Sequence, residues 1–197
     1  MKVGLYGGSF DPVHHGHLLT ALWASEKREL QKIIFMPCFI SPLRQFVNMA
    51  TGGQRVKMLQ LATQDNQMFE VSDYEIIQEG VSYTINTILM LKKLYNTVEL
   101  IIGYDNYLIF DKWNSHEEIL DLVNVIVLKR VVEKDFSVPD ISKKRMVFLE
   151  TPPIGISSTE IRRRVLLREQ IDFFTPKPVI EYIHNNNLYI PLPPIFQ

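Results

Sequence analysis

Gly7-Gly8-Ser9-Phe10-Asp11-Pro12-Val13-His14-His15-Gly16-His17 lies directly between an apolar run, Lys2 to Tyr6, and a segment with helical spacing from about His17 to Leu30. A strand that feeds a helix through a glycine-rich turn is the opening unit of an α/β domain. Ligands bind at such turns, outside the carboxyl ends of the strands and beside a helix N-terminus. Gly7 and Gly8 remove side chains there, so a phosphate or a sugar can approach main-chain N–H groups closely. His14 and His17 are three apart and would face the same way on a first helical turn, where two imidazoles can donate to a triphosphate. An isolated histidine more often caps or packs locally. Asp11, His14 and His17 can also be read as metal ligands, although the HExxH or cysteine context of most such sites is absent. With no GxxxxGKS/T, and no GxGxxG opening the first helix, a P-loop kinase and a dinucleotide oxidoreductase are both disfavoured.

Beyond this junction, short apolar runs bounded by turn residues alternate with segments of helical period. Lys32 to Met36 reads as a buried second strand that Pro37 ends, and Arg55 to Thr63 as a helix with Val56, Leu59 and Ala62 on one face. Phe69 to Ile77 is expected to supply a third strand, with Thr84 capping the next helix. Val98 to Ile102, Val125 to Leu128 and Met146 to Leu149 read as further strands, His116 to Val123 as a helix. Two last helices are expected to start near Ser158 and Pro178. Alternation of this kind builds a single doubly wound, mostly parallel sheet with helices on both faces.

Near the other end of the chain, Gly155-Ile156-Ser157-Ser158-Thr159-Glu160-Ile161-Arg162 places hydroxyls at a helix start. Ser157 with Glu160 fits a capping box, which needs no ligand. Ser158, Thr159 and Arg162 crowd the same turn, where free N–H groups and the helix dipole already favour an anion.

Composition excludes the broader alternatives. The 197 residues carry 46% apolar and 22% charged side chains, ordinary for one globular domain. A formal net charge of −1 offers no general attraction to nucleic acid or acidic membranes, so phosphate recognition must come from a local cluster of donors. The lone Cys38 cannot form an internal disulfide, and neither a signal peptide nor a membrane-spanning run is visible, so a cytoplasmic protein is expected.

The two glycine- and hydroxyl-rich loops together resemble those of the HxGH nucleotidyltransferase superfamily, and most closely the bacterial nicotinate mononucleotide adenylyltransferases. The GGxFDPxHxGH pattern is matched from Gly7 to His17 and the ISSTxIR pattern from Ile156 to Arg162. The family's basic residue after a Pro-containing loop corresponds to Arg44, its SYT motif to Ser82-Tyr83-Thr84, its GxD motif to Gly103 and Asp105, and its tryptophan to Trp113.

The resemblance implies a Rossmann-like nucleotidyltransferase domain over residues 1–190, followed by a Pro-rich tail, 191–197. It implies transfer of AMP from ATP to nicotinate mononucleotide, with pyrophosphate released. His14, His17 and Arg162 then become the catalytic set. Gly7, Gly8, Ser9, Phe10, Gly16, Gly103, Asp105, Ile156, Ser157, Ser158 and Thr159 fall to ATP, and Arg44, Tyr83, Thr84 and Trp113 to the acceptor. Mg²⁺ is expected mainly on the ATP phosphates, with no protein metal ligands. No nucleic acid or membrane partner is implied, and a homo-oligomer is left open. Three positions depart from the family: Leu43 stands where a histidine is usual, Asn86 where an aspartate is, and Tyr104 where a small residue is. They bear on the choice of acceptor. Rival readings are nicotinamide mononucleotide or phosphopantetheine as acceptor, a non-catalytic nucleotide sensor, and a metal-dependent hydrolase.

Overall fold

Strands that are covered on both faces must be apolar at nearly every position, and β1 (Lys2–Gly8), β2 (Lys32–Pro37), β4 (Thr97–Gly103) and β5 (Asn124–Arg130) have this character. A computed structural model describes residues 1–42, 50–130 and 146–190. Within these, β1, β2, β3 (Phe69–Val71), β4, β5 and β6 (Met146–Thr151) form one sheet in the order β3-β2-β1-β4-β5-β6, and every pairing is parallel. The expected doubly wound sheet is therefore present, and parallel throughout rather than mostly so. Arg44 and Leu43, and the tail 191–197, lie outside the described residues.

Side chains alternate between two cores. Ile33, Phe35, Ile101, Ile126 and Leu128 point into one, beneath α1 (His15–Arg28), α2 (Gly52–Thr63), α7 (Ser158–Leu166) and α8 (Lys177–Asn185). Val3, Leu5, Ile34, Leu100, Ile102 and Val127 point into the other, beneath α4 (Thr84–Leu94) and α6 (His116–Leu122). Gly4 in β1 has no room for a side chain: a Cβ there would sit 2.8 Å from both Ile101 Cδ1 and Leu30 Cδ1.

At the amino ends of the strands Arg28 grips the buried Glu99 with two bonds, Nε to Oε2 at 2.9 Å and Nη2 to Oε1 at 2.7 Å. Burial alone would push the Glu99 carboxyl up, but Arg28 and Lys2 hold it below its ordinary range. This pair ties α1 to the amino-terminal end of the central strand β4, opposite the candidate site.

Two local expectations are corrected. The third strand stops at Val71, and Tyr74–Gln78 is a short helix, α3, with Asp73 at its N-cap. Ile76 and Ile77 gave the run its strand-like character, whereas Ser72-Asp73 is a turn and helix-start signal. Thr84 is the first residue of α4 rather than its cap, a position taken by Tyr83. After β4 come two short elements without a clear sequence signal, α5 (Tyr104–Tyr107) and the 3-10 turn Phe110–Lys112.

Candidate active site

The order of the strands reverses between β1 and β4, so the two βα connections leave a crevice at the carboxyl ends of these strands. Gly7, Gly8 and Ser9 line this crevice from β1, with Leu100 to Ile102 beside them from β4.

The loop after β1 is pinned from below by Phe10, which is fully buried with φ of 49°. A left-handed backbone at a bulky residue is strained and persists only where packing enforces it. Here edge-on contacts of the Phe10 ring with Tyr6, Phe35 and His17, at 5.6, 5.6 and 5.0 Å between centroids, supply that packing. With its ring packed inward, Phe10 faces the crevice by its main chain, the part of it that a nucleotide could meet.

Helix α1 starts at His15, two residues earlier than the periodicity predicts, with His14 as its N-cap. His14 and His17 stack with centroids 3.6 Å apart. The His14 main-chain N–H donates to Nδ1 of His17 at 3.3 Å, which leaves Nε2 of a neutral His17 to carry the proton and donate outward. Nδ1 of His14 is buried without a hydrogen-bond partner. Gly16 explains the glycine between the histidines, because a Cβ there would meet His14 Nδ1 at 2.9 Å. Burial, with a smaller contribution from His15, pushes His14 down to about 4. Burial and then His14 hold His17 well below its ordinary value. Both rings are therefore neutral donors at neutral pH.

The C-terminal elements close on this loop. Arg162 of α7 donates from Nη1 to the Asp11 carbonyl at 2.7 Å and from Nη2 to Thr159 Oγ1 at 3.4 Å. Ser158 Oγ donates to the Pro12 carbonyl at 2.9 Å, and Thr175 Oγ1 to the Val13 carbonyl at 2.7 Å. The Tyr189 hydroxyl donates to Asp11 Oδ1 at 2.7 Å, and the Ala50 N–H reaches the same oxygen at 3.1 Å. Burial outweighs these donors and raises Asp11, and its Oδ2 has no hydrogen-bond partner. The expected capping box is half formed: Ser157 Oγ accepts from the Glu160 N–H at 3.2 Å, while the Glu160 carboxylate turns to Arg163. Ile156 packs against the first core, and Ser157 and Thr159 are exposed at the start of α7.

On the other face of the sheet a cavity of about 130 Å³ opens from the same glycines. It brings Tyr83 and Thr84 from the start of α4 together with Trp113, as the sequence reading expects of an acceptor pocket. The indole Nε1 is buried without a hydrogen-bond partner. Gly103 caps α5, and Asp105 is exposed in its first turn, next to Asn106 of the cavity wall. The crevice thus has two compartments, one lined by imidazoles, hydroxyls and a guanidinium, the other aromatic, and Gly7-Gly8-Ser9 runs between them.

Tyr189, Arg55 and Glu75 are site residues that the sequence does not point to, and Asp11, which the sequence offers only as a metal ligand, instead anchors the loop through Tyr189 and Ala50. Arg55 is buried and donates to the carbonyls of Ser9, Cys38 and Ala50, fixing the loop by its main chain. Glu75 lines the cavity.

The chain matches the cytidylyltransferase-like family over residues 5–164. It is 40% identical to a probable nicotinate-nucleotide adenylyltransferase of Hydrogenobaculum sp. (strain Y04AAS1), covering 96% of this chain and 98% of that one. It is 39% identical to another so named in Methylacidiphilum infernorum (isolate V4), covering 96% and 93%. The fold is also that of Plasmodium falciparum nicotinic acid mononucleotide adenylyltransferase solved in complex with NaAD, with a TM-score of 0.75 at 20% identity over 95% of this chain and 97% of that one. The two loops, the parallel sheet and these matches agree: the chain belongs to the cytidylyltransferase-like family, among the bacterial nicotinate-nucleotide adenylyltransferases.

Proposed function

We propose that the protein transfers the adenylyl group of ATP to nicotinate mononucleotide, forming nicotinate adenine dinucleotide in NAD biosynthesis. The observation that carries this reading is the meeting of the His14–His17 loop with the Ser157–Arg162 helix start, through Arg162 to Asp11 and Ser158 to Pro12. A donor-rich compartment suited to a triphosphate then adjoins an aromatic cavity suited to a pyridine ring. Names and complexes of relatives agree with it.

In this reading an oxygen of the acceptor's 5′-phosphate attacks the α-phosphorus of ATP in line. The bond from that phosphorus to the bridging oxygen of the β-phosphate breaks, and pyrophosphate leaves. The attacking phosphate, with a second pKa near ~6, is already anionic at neutral pH, so no general base is required. His14, His17 and Arg162 stabilise charge on the triphosphate, and the N–H groups of Gly8 and Ser9 and the start of α7 position it. Tyr83, Thr84 and Trp113 hold the acceptor ring, Gly103 and Asp105 the adenosine, and Arg44 the acceptor phosphate.

Mg²⁺ is the proposed cofactor. Among the described residues no group of three His, Cys, Asp or Glu side chains could hold a metal ion, and the donors at hand suit phosphate oxygens instead. The ion fits as ATP's companion, bound by phosphate and water, and supplies neutralising charge when present. A cytoplasmic location is proposed from the single free Cys38; no helix among the described residues is long and apolar enough to cross a membrane. ATP and the mononucleotide are the proposed partners, without nucleic acid.

The deciding experiment is ATP-dependent pyrophosphate release across a panel of mononucleotides and phosphopantetheine, with and without chelator. Nicotinate mononucleotide should give the highest kcat/KM, and EDTA should abolish release until Mg²⁺ is restored. Release with no acceptor present, or none with any, overturns the assignment.

A further inference from the structure

Among the described residues Glu75 is the one carboxylate on the wall of the aromatic cavity, where it stands with Trp113, Thr84 and Ser82. It comes from α3, the helix that interrupts what reads as a strand. Its Oε1 accepts from Thr87 Oγ1 at 2.5 Å, and the Ser82 hydroxyl also donates to it. These two donors bracket the Tyr83-Thr84 start of α4. No cationic side chain among the described residues pairs with it, and burial raises its pKa against the pull of the two hydroxyls. A half-buried carboxylate without a counter-charge is costly, and a cavity that keeps one beside an open volume is shaped for a cation that arrives with a ligand.

Trp113 points the same way. Its ring lines the cavity, and the face of an indole attracts positive charge through its quadrupole. The other described lining residues add neither a lysine nor an arginine. An aromatic face and an anion together select a flat cationic ring, and a quaternary pyridinium is such a ring, whereas pyrimidines, purines and reduced pyridines are neutral.

We infer that Glu75 is a binding residue that supplies the counter-charge to the ring cation of the acceptor, so that the cavity selects pyridinium mononucleotides by charge as well as by shape. This rests on the adenylyltransferase reading above. It adds to that reading a criterion, the charge on the ring nitrogen, which is common to the acid and amide forms and absent from their 1,4-dihydro forms.

The test compares oxidised nicotinamide mononucleotide with its 1,4-dihydro form, nearly identical in size, in pyrophosphate-release assays of wild type, Glu75→Gln and Glu75→Asp. Wild type should favour the oxidised ring by about ten-fold or more in kcat/KM, the order expected of a partly desolvated charge contact. Glu75→Gln should bring the ratio close to one, and Glu75→Asp should keep a preference while binding both forms more weakly. A structural role for Glu75 would weaken both acceptors alike and leave the ratio unchanged, which overturns the inference. So does a wild type that uses both forms equally, a result that stands even where a variant fails to fold. Wild-type activity with nicotinate mononucleotide reports separately on the adenylyltransferase reading.

Discussion

Arg162 and Asp11, 151 residues apart in sequence, are joined by a 2.7 Å hydrogen bond from guanidinium Nη1 to main-chain carbonyl. One arm of the guanidinium thus holds the loop and the other leans on Thr159 at 3.4 Å, a long bond that a phosphate could replace. Arg162→Lys should keep the charge but lose this forked geometry. Turnover should fall on the order of 10²-fold, the scale of one lost transition-state donor, with a nearly unchanged thermal midpoint. Steady-state kinetics together with a melting curve checks this, and wild-type turnover in the lysine variant would contradict the placement.

Gly16 offers a sharper probe, because alanine is ordinarily better than glycine inside a helix by about 1 kcal/mol. Here the added Cβ would press on His14 Nδ1 from 2.9 Å and on Cε1 from 3.0 Å. Gly16→Ala should displace the His14 ring and cut kcat roughly 10²-fold. Any change in stability should be small by comparison. A variant as active as the wild type shows that the position of His14 does not matter.

Trp113→Ala removes the aromatic wall of the cavity but none of the groups at the start of α7. The KM for the mononucleotide should rise about ten-fold or more while that for ATP changes little, as for an interaction made equally in ground and transition states. Initial rates with each substrate varied in turn distinguish this from a general loss. Parallel effects on both constants place the ring elsewhere.

The lowered pKa of His14 makes a prediction about acid stability. In the folded protein the ring stays neutral down to about 4, because burial opposes the charged form. In the unfolded chain it takes up a proton near 6.5. Its contribution is therefore complete above pH 6.5 and is lost between there and about 4, as the unfolded state binds the proton first. Urea midpoints should fall from pH 7 to pH 5, and less steeply in His14→Asn. Equal slopes in the two proteins mean that the ring is solvated.

Much of this site could be read from the sequence because its parts are local. Gly7 to His17 and Ile156 to Arg162 each place their chemistry within one turn, so spacing alone predicts a shared face. The sheet was equally legible, since continuous apolar runs separated by helical period leave few other architectures. What escaped depends on distant contacts. Nothing local to Tyr189 signals that its hydroxyl reaches Asp11, and nothing in the spacing of the Arg55 helix signals that its guanidinium holds three carbonyls. Glu75 was hidden inside a supposed strand. For Phe10 the motif names the residue but not the direction of its ring, which only the packing against Tyr6, Phe35 and His17 reveals.

The bonds from Tyr189 to Asp11 and from Thr175 to Val13 make the first loop depend on segments 178 and 162 residues further along the chain. In any fragment that stops before Thr175, the nucleotide-facing turn between β1 and α1 is left without either of these stays. A polypeptide cut short before α8 is expected to be inert even if its sheet has formed.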